Sequence, residues 1–452
     1  MKPDTQQLNS LIARATHLHE SGQLAEAAEI YRSVMALSPQ HAAVIHNLGV
    51  IAAMQGDYKT AIGHFDAALR IAPTYVPAHL HRAMTQQAVG ETTEAIRSYE
   101  RIRQLDPGHY KANRELGFLW LANGHRGRSL DHFARTYDLR RGEDRTTIAW
   151  KSLSHATRDK LLHDAEQFRF LSSHRSRARF TDLAQRYETV AKTFSEAPTE
   201  LSDQQVSDLG PDYNTAINLH DAPERKDNTL ADRTDRAAVI AAFRESRAAA
   251  VVLDDFLTPD ALRSLRAYLL QSTVWHDFTH IAGFVASYLE DGLACPLLLQ
   301  IADEIRQAFP EILSDQPLSQ AWAFKGLHSA SSIGAHADDA FVSVNFWVTP
   351  NDANLQPDGS GLTVCLEPPP SDWAMADYGS DESRSARFMS EHADKILRVP
   401  YRENRAVLFH SRLLHGSEAP LFAEGYENHR MNLTLLYGRS PTRPAAFPGA
   451  LS

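Results

Sequence analysis

The sequence predicts a multidomain α and β chain: an N-terminal all-α solenoid, then a jelly-roll-like double sheet with flanking helices. Three observations predict it. The first third of the chain repeats with a period of 34 residues. The middle shows helical periodicity, and the last third alternates short apolar strands with polar connections. At 452 residues the chain is too long for one ordinary core, so two or three domains are expected. Their expected extents are 8–141 for the repeats, 142–236 for a helical capping segment and linker, and 237–452 for the strand-rich domain.

The repeat is legible at four kinds of position. Pro39, Pro73 and Pro107 are 34 residues apart, as are Gly22, Gly56 and Gly90. Ala27, Ala61 and Ala95 keep the same step, and Tyr31, Phe65 and Tyr99 each follow four residues later. Each unit reads as a helical hairpin. Glycine makes the turn, alanine permits close helix approach, the aromatic fills the groove, and proline stops the second helix. Period and residue types resemble the tetratricopeptide repeat. A fourth, degenerate unit starts near Tyr110 with Gly117, Gly124 and Phe133, and Arg141 stands where proline is expected. An atypical last unit suits the end of a stack that must be capped. Such a stack presents a concave surface, so a protein or peptide partner is expected. The competing reading is that the array only dimerises or scaffolds the chain.

Apolar faces at Leu161, Leu162, Phe168 and Leu171, then at Phe180, Leu183, Tyr187 and Val190, predict helices over 156–171 and 175–194. Residues 195–236, rich in Asp, Pro and Asn, read as a linker or irregular cover. A strand is expected over 249–253, a helix capped by Thr258 and opened by Pro259, and a second helix over 296–309. Strands follow over 321–327, 342–348, 361–366, 405–409 and 430–437. Residues 351–361 and 371–394 are long polar excursions that could border a pocket mouth.

Composition narrows the function classes. Hydrophobic content of 43% and charged content of 23% are those of a globular protein. A net charge of −10 makes a nucleic-acid partner unattractive, because phosphate contacts need a basic surface. The basic run at 174–179 reads as a solvated helix face. Cys295 and Cys365 give neither a disulfide framework nor a zinc spacing, and read as small buried hydrophobes. The N-terminus has no apolar signal-like region and no stretch is long enough to span a membrane, so a cytoplasmic location is expected.

The chemistry-bearing residues lie in the last third. His336-Ala337-Asp338 precedes an apolar strand, His415 follows a strand and a short loop, and Arg430 opens the last strand. Residues two apart on a strand share a side, so His336 and Asp338 can grip one ion together. Two imidazoles and one carboxylate leave coordination positions open, which suits non-haem Fe(II) oxygen chemistry. The planar fork of Arg430 matches a carboxylate with two parallel hydrogen bonds. His410 is an alternative to His415; Asp339 is a weaker alternative to Asp338, because a step of three puts it on the wrong side of a strand.

With these residues in place, the region from about Val251 to Gly438 resembles the Fe(II)/2-oxoglutarate-dependent dioxygenase superfamily, whose H-x-D…H…R/K signature sits on a double-stranded β-helix. The whole chain resembles bacterial tetratricopeptide-repeat proteins with a C-terminal oxygenase domain, most closely over 288–300 and 344–355. The resemblance implies that His336, Asp338 and His415 hold Fe(II) and carry the catalysis, that Arg430 pairs with the distal carboxylate of 2-oxoglutarate, and that O2 is consumed, with ascorbate as a stimulant. It favours His415 over His410, since His415 stands at the family's H-G position. Asn432, two after the arginine, would assist co-substrate binding. Asn345 and Trp347 share a strand face, so both line that pocket or neither does; core packing is the competing reading for Trp347. Lys325 and His328 are candidate carboxylate or substrate contacts, although 324–328 departs from the tyrosine-containing pattern of near relatives. His429 would face away from Arg430 and read as exposed or structural.

The expected function is hydroxylation of a protein or peptide recruited by the repeats. Alternatives are a small-molecule oxygenase whose repeats serve assembly, including a homodimer, and a catalytically silent scaffold or sensor. Nucleic-acid demethylation ranks last.

Overall fold

The computed structural model describes residues 5–142, 151–195, 197–232, 236–246, 248–279, 281–328, 330–370, 373 and 382–438. Its contacts divide the chain into a unit that ends at Leu119 and a second that begins at Trp120.

The first unit is a helical solenoid of α1 (Thr5–Glu20), α2 (Leu24–Leu37), α3 (Ala42–Met54), α4 (Tyr58–Ile71), α5 (Val76–Ala88), α6 (Thr92–Leu105) and most of α7 (Tyr110–Ala122). Each periodic residue occupies the place its chemistry suggests. Gly22, Gly56 and Gly90 turn one helix into the next at φ near +80°, where an added Cβ would meet nothing, so backbone conformation rather than space selects glycine. At Gly49 the reason is space: a Cβ there would come 2.7 Å from the Phe65 ring. Ala27, Ala61 and Ala95, with Tyr31, Phe65 and Tyr99, are all fully buried. The phenols find partners, since Asn47 Nδ2 donates to Tyr31 Oη at 3.0 Å and Tyr99 Oη donates to Gln87 Oε1 at 3.1 Å. Clusters such as Ile45, Ala68, Leu69 and Ala78 take residues from α3, α4 and α5, so burial runs continuously along the stack.

Two imidazoles sit inside this stack. His46 Nε2 and His81 Nδ1 are 2.7 Å apart, and burial pushes the two groups down to about 4 and about 3.

The second unit opens with α8 (Arg126–Arg141) and α9 (Lys151–Ser154). Arg141, expected only as a missing proline, is fully buried with Asp291. Its Nε and Nη2 grip the two carboxylate oxygens, Nη1 donates to the Asn214 carbonyl at 3.1 Å, and Nη2 also donates to Ser152 Oγ at 3.0 Å. The helix expected over 156–171 begins later. Ala156 lies in β1 (His155–Ala156), paired with β2 (Thr199–Glu200), and Thr157 caps α10 (Arg158–His174) by accepting from Lys160 N. The α10 helix packs on α11 (Arg177–Ala191) around Leu161, Phe168, Phe180, Leu183 and Tyr187. Residues 174–179 are exposed, as a solvated face requires. The stretch expected as linker or irregular cover carries β2 and α12 (Asp203–Leu209) and puts Leu209 and Tyr213 into the same cluster.

Beyond α13 (Arg236–Glu245) the unit is rich in antiparallel sheet. A six-stranded sheet has the order β3 (Ala250–Leu253), β10 (Ala406–His410), β7 (Val342–Trp347), β12 (Met431–Tyr437), β5 (Leu318–Gly326), β4 (Phe284–Tyr288). A four-stranded sheet runs β6 (Ile333–His336), β11 (His415–Ser417), β8 (Leu362–Cys365), β9 (Ile396–Val399). The strands β4, β6, β9 and β11 were not expected, being short or interrupted by polar residues. Helices α14 (Pro259–Gln271), α15 (Pro296–Ala308) and the short α16 (Pro310–Leu313) accompany the larger sheet, and Tyr437 Oη donates to the Ala302 carbonyl at 2.9 Å. Thr258 caps α14 as expected, accepting from Ala261 N. The excursion expected over 371–394 contains α17 (Glu382–Glu391); residues 371–372 and 374–381 of it lie outside the described residues. Cys295 and Cys365 are buried and free. Among the described residues no helix is long and apolar enough to cross a membrane.

Register fixes which side chains share a face. Asn345 stands opposite Thr434 and Val407, Trp347 opposite Asn432, and Phe324 opposite Asn432. Trp347, Val407 and Phe409 from that face form one apolar cluster with Leu362, Val364 and Val399 of the smaller sheet. We call it the inner face.

Two stability measurements test these placements. Asp291→Asn leaves the Arg141 guanidinium buried and unpaired, and should cost the second unit about 3–5 kcal/mol in denaturant; a loss under about 1 kcal/mol would contradict the pairing. The second concerns acid. Folded His46 resists protonation, so between pH 6.5 and about 4 the unfolded chain binds more protons and stability falls as pH falls. Replacing His46 by Gln should remove about 2 kcal/mol of the first unit's stability loss between pH 7 and pH 5. Equal acid sensitivity of the two proteins would refute it.

Candidate metal centre

His336 ends β6 and His415 begins β11, and the two are direct cross-strand partners, so their side chains leave the smaller sheet on one side. Asp338 follows two residues after His336, with its amide bonded to the Ser411 carbonyl at 2.9 Å. One ligand atom from each of the three lies within 4.8 Å of the others, and Asp338 and His415 are buried. His410, the alternative histidine, pairs with Val342 on the other face of the larger sheet, where its ring meets Phe243 and Phe341. The cluster contains Asp338 and not Asp339.

The hydrogen bonds of the imidazoles set their tautomers. His336 Nδ1 is 2.9 Å from the Gly334 carbonyl and His415 Nδ1 is 2.9 Å from the Leu413 carbonyl. A carbonyl only accepts, so each Nδ1 carries a proton, and in the neutral ring Nε2 keeps the lone pair. His415 Nε2 lies 3.4 Å from Asp338 Oδ2. Burial pushes His415 down to about 4, so it is neutral near pH 7 and fit to donate its lone pair. Ser343 Oγ donates to Asp338 Oδ2 at 2.6 Å and is 2.9 Å from Ser411 Oγ. The sequence reading missed Ser343. The signal was available, because it stands two residues before Asn345 on the same strand face.

The inner face continues from Ser343 through Asn345 to Trp347. Asn345 Nδ2 donates to Thr434 Oγ1 at 3.1 Å, while its Oδ1 is buried without a partner. Trp347 is fully buried in the intersheet cluster, and its Nε1 also lacks a partner. Core packing, the competing reading for Trp347, is what its ring does. Asn432 stands opposite Trp347 and is buried.

Arg430 completes this face. Its guanidinium carbon is 5.9 Å from the Trp347 ring centroid, and Nε and Nη1 are buried with no hydrogen-bond partner. Burial lowers its pKa to about 10, so it stays cationic at neutral pH. A buried guanidinium with unused donors costs several kcal/mol unless an anion meets it. The unused guanidinium donors fit a carboxylate, and the two Nε2 atoms with the Asp338 carboxylate fit a divalent ion.

Lys325 does not join this group. It stands opposite Met431, one residue out of phase with Asn432, so period-two alternation sends it through the sheet to the outer face. There its Nζ lies 3.2 Å from the Tyr426 ring centroid, fully buried and without a hydrogen-bond partner. His429 also turns outward, and is buried rather than exposed. His328 lies beyond the end of β5, beside His429.

Comparison with known proteins bears on the first unit. A family model for the tetratricopeptide repeat matches residues 18–86, so the N-terminal region carries these repeats. Small glutamine-rich tetratricopeptide repeat-containing protein 2 of Saccharomyces cerevisiae is 25% identical over 83 residues, which is 18% of this chain and 24% of that protein. The chain thus spans about a quarter of that relative's length. Among solved structures, MamA is 21% identical over 30% of this chain and 79% of its own, with a TM-score of 0.28. The first TPR of Spaghetti (RPAP3) bound to the HSP90 peptide SRMEEVD is 22% identical over 27% and 98%, with a TM-score of 0.27.

The unmet guanidinium makes an unusual stability prediction. Arg430→Met removes a buried charge with no anion beside it, so the unliganded chain should be as stable as the parent or up to about 3 kcal/mol more stable. A loss above about 2 kcal/mol in thermal or denaturant unfolding would mean that Arg430 is structural.

Proposed function

We propose that the second unit is an Fe(II)- and 2-oxoglutarate-dependent oxygenase, and that it hydroxylates a protein or peptide recruited by the repeats. One observation carries the reading. Two imidazoles whose Nδ1 atoms face backbone carbonyls and one buried carboxylate converge, in the same interior as a buried guanidinium with unused donors. The eight strands β5 to β12 support a double-stranded β-helix, or jelly roll, for this unit, since all but β8 and β9 switch sheet from one strand to the next.

When bound, ferrous ion and 2-oxoglutarate supply activation of O2, with balance 2-oxoglutarate + O2 + R–H → succinate + CO2 + R–OH. His336, Asp338 and His415 would hold the ion, leaving further positions for co-substrate and oxygen. Ser343 fixes the Asp338 carboxylate, and the Gly334 and Leu413 carbonyls hold the two rings in the ligating tautomer. Arg430 would take the distal carboxylate in a bidentate pair, with Asn432, Asn345 and the Trp347 indole N–H as neutral donors or acceptors around it. The apolar walls Val364, Phe409 and Val407 keep water from that interior.

A second reading has a specific observation behind it. The family-model match lies wholly within the repeats, and proteins with such repeats commonly bind protein or peptide partners, so a catalytically silent scaffold also suits the chain.

Turnover separates the two. The purified full chain with Fe(II), ascorbate and 2-oxoglutarate should bind the co-substrate and release succinate slowly. His336→Ala should abolish turnover, and Arg430→Met should weaken 2-oxoglutarate binding by 100-fold or more. Undiminished succinate release from His336→Ala, or no 2-oxoglutarate binding by the parent, would overturn the oxygenase reading and leave the scaffold.

A further inference from the structure

On the outer face of the larger sheet a second group of ligand atoms converges. Glu166 lies on α10, His328 just past β5, and His429 just before β12. Glu166 Oε1 is 3.2 Å from His328 Nε2, and Glu166 Oε2 is 3.1 Å from His429 Nε2. All three donors lie within 4.8 Å of one another.

The His429 tautomer decides what this arrangement is. Its Nδ1 is 2.6 Å from the Gly326 carbonyl and so carries the proton. In the neutral ring, Nε2 then presents a lone pair to a carboxylate oxygen, which repels it unless a proton or a cation lies between. Glu166 is the carboxylate that both imidazoles address, one on each of its oxygens.

Distances agree with an ion. A charge-assisted N–H···O contact has heavy atoms about 2.7–2.9 Å apart. Tetrahedral zinc with bonds of about 2.05 Å holds neighbouring ligand atoms about 3.3 Å apart. The two N···O separations, 3.1 and 3.2 Å, lie between these figures and admit a bridging ion. His429 and Glu166 are held by the fold, whereas the His328 side chain is 60% exposed and can swing to close the remaining edge. Lys325 lies on the same outer face, with its Nζ 3.2 Å from the Tyr426 ring centroid.

We propose that Glu166, His328 and His429 form a second binding site, on the opposite side of the sheet from His336, Asp338 and His415, for a divalent transition ion of the zinc class. The ion joins α10 to the ends of β5 and β12 and leaves a fourth position for water. Because His429 precedes Arg430 in the chain, the site also anchors the backbone that presents the guanidinium on the inner face. The assignment does not rest on the oxygenase reading.

The test counts tightly bound Co2+ and Zn2+ in the metal-stripped full chain, by titration with the visible absorption of cobalt and by elemental analysis. His328→Ala should bind one equivalent fewer than the parent, and Glu166→Gln should lose the same equivalent. In His336→Ala/His415→Ala, which lacks the inner site, one equivalent should remain and disappear on adding His328→Ala. Equal metal content and affinity in parent and His328→Ala would overturn the proposal. Failure of the inner site alone would show as one equivalent in the parent and none in His328→Ala, which keeps the two readings distinguishable.

Discussion

The period-two alternation of β7 and β12 is the constraint on which this unit depends. Both strands lie inside the six-stranded sheet and are covered on both faces, so every side chain is committed to one interior or the other. Ser343, Asn345 and Trp347 go inward with Thr434, Asn432 and Arg430. Val344, Phe346, Met431 and Leu433 go outward. A slip of one residue would exchange the polar inner row for an apolar one and leave buried charges against aliphatic groups. The apolar outer row therefore helps to hold the register of the polar inner row.

That commitment explains why polar groups can be buried unsatisfied here. Arg430 Nε and Nη1, Trp347 Nε1 and Asn345 Oδ1 lack partners on the one face that also carries Ser343, the donor to Asp338. Each such group costs on the order of 1–3 kcal/mol, more when charged. Large apolar burial around them, from Val364, Val407 and Phe409 on one side and Val344, Phe346 and Leu433 on the other, offsets the cost. Two groups of histidines and a carboxylate face opposite sides of the same sheet, one inside and one toward α10. His336, His415 and His429 share one device, a backbone carbonyl that accepts from Nδ1–H and so orients Nε2.

Some of this was legible in the residues. The 34-residue repeat marks its turns, its close contacts and its aromatic fillers directly, because every unit solves the same local packing problem. Strands such as β7 and β12 announce themselves by length and apolarity. The short strands β6, β9 and β11 do not. Their pairing comes from neighbours distant in sequence, and their own residues (Gly334, Arg398 and Gly416 among them) show no alternation to read. Lys325 was misplaced for a related reason: its strand was recognised, but its phase relative to β12 is a matter of register, not of composition.

The sequence alone determined the repeat, the order of His336, Asp338, His415 and Arg430 at or beside strand ends, and the buried fate of the two cysteines. These follow from local periodicity and residue chemistry. Only the tertiary structure put the His410 ring against Phe243 and Phe341, sent Lys325 outward, made Arg141 the partner of Asp291, and brought Glu166 to His328 and His429. Each depends on which face a side chain leaves and which distant segment it meets, and register and packing decide that only when the sheets close.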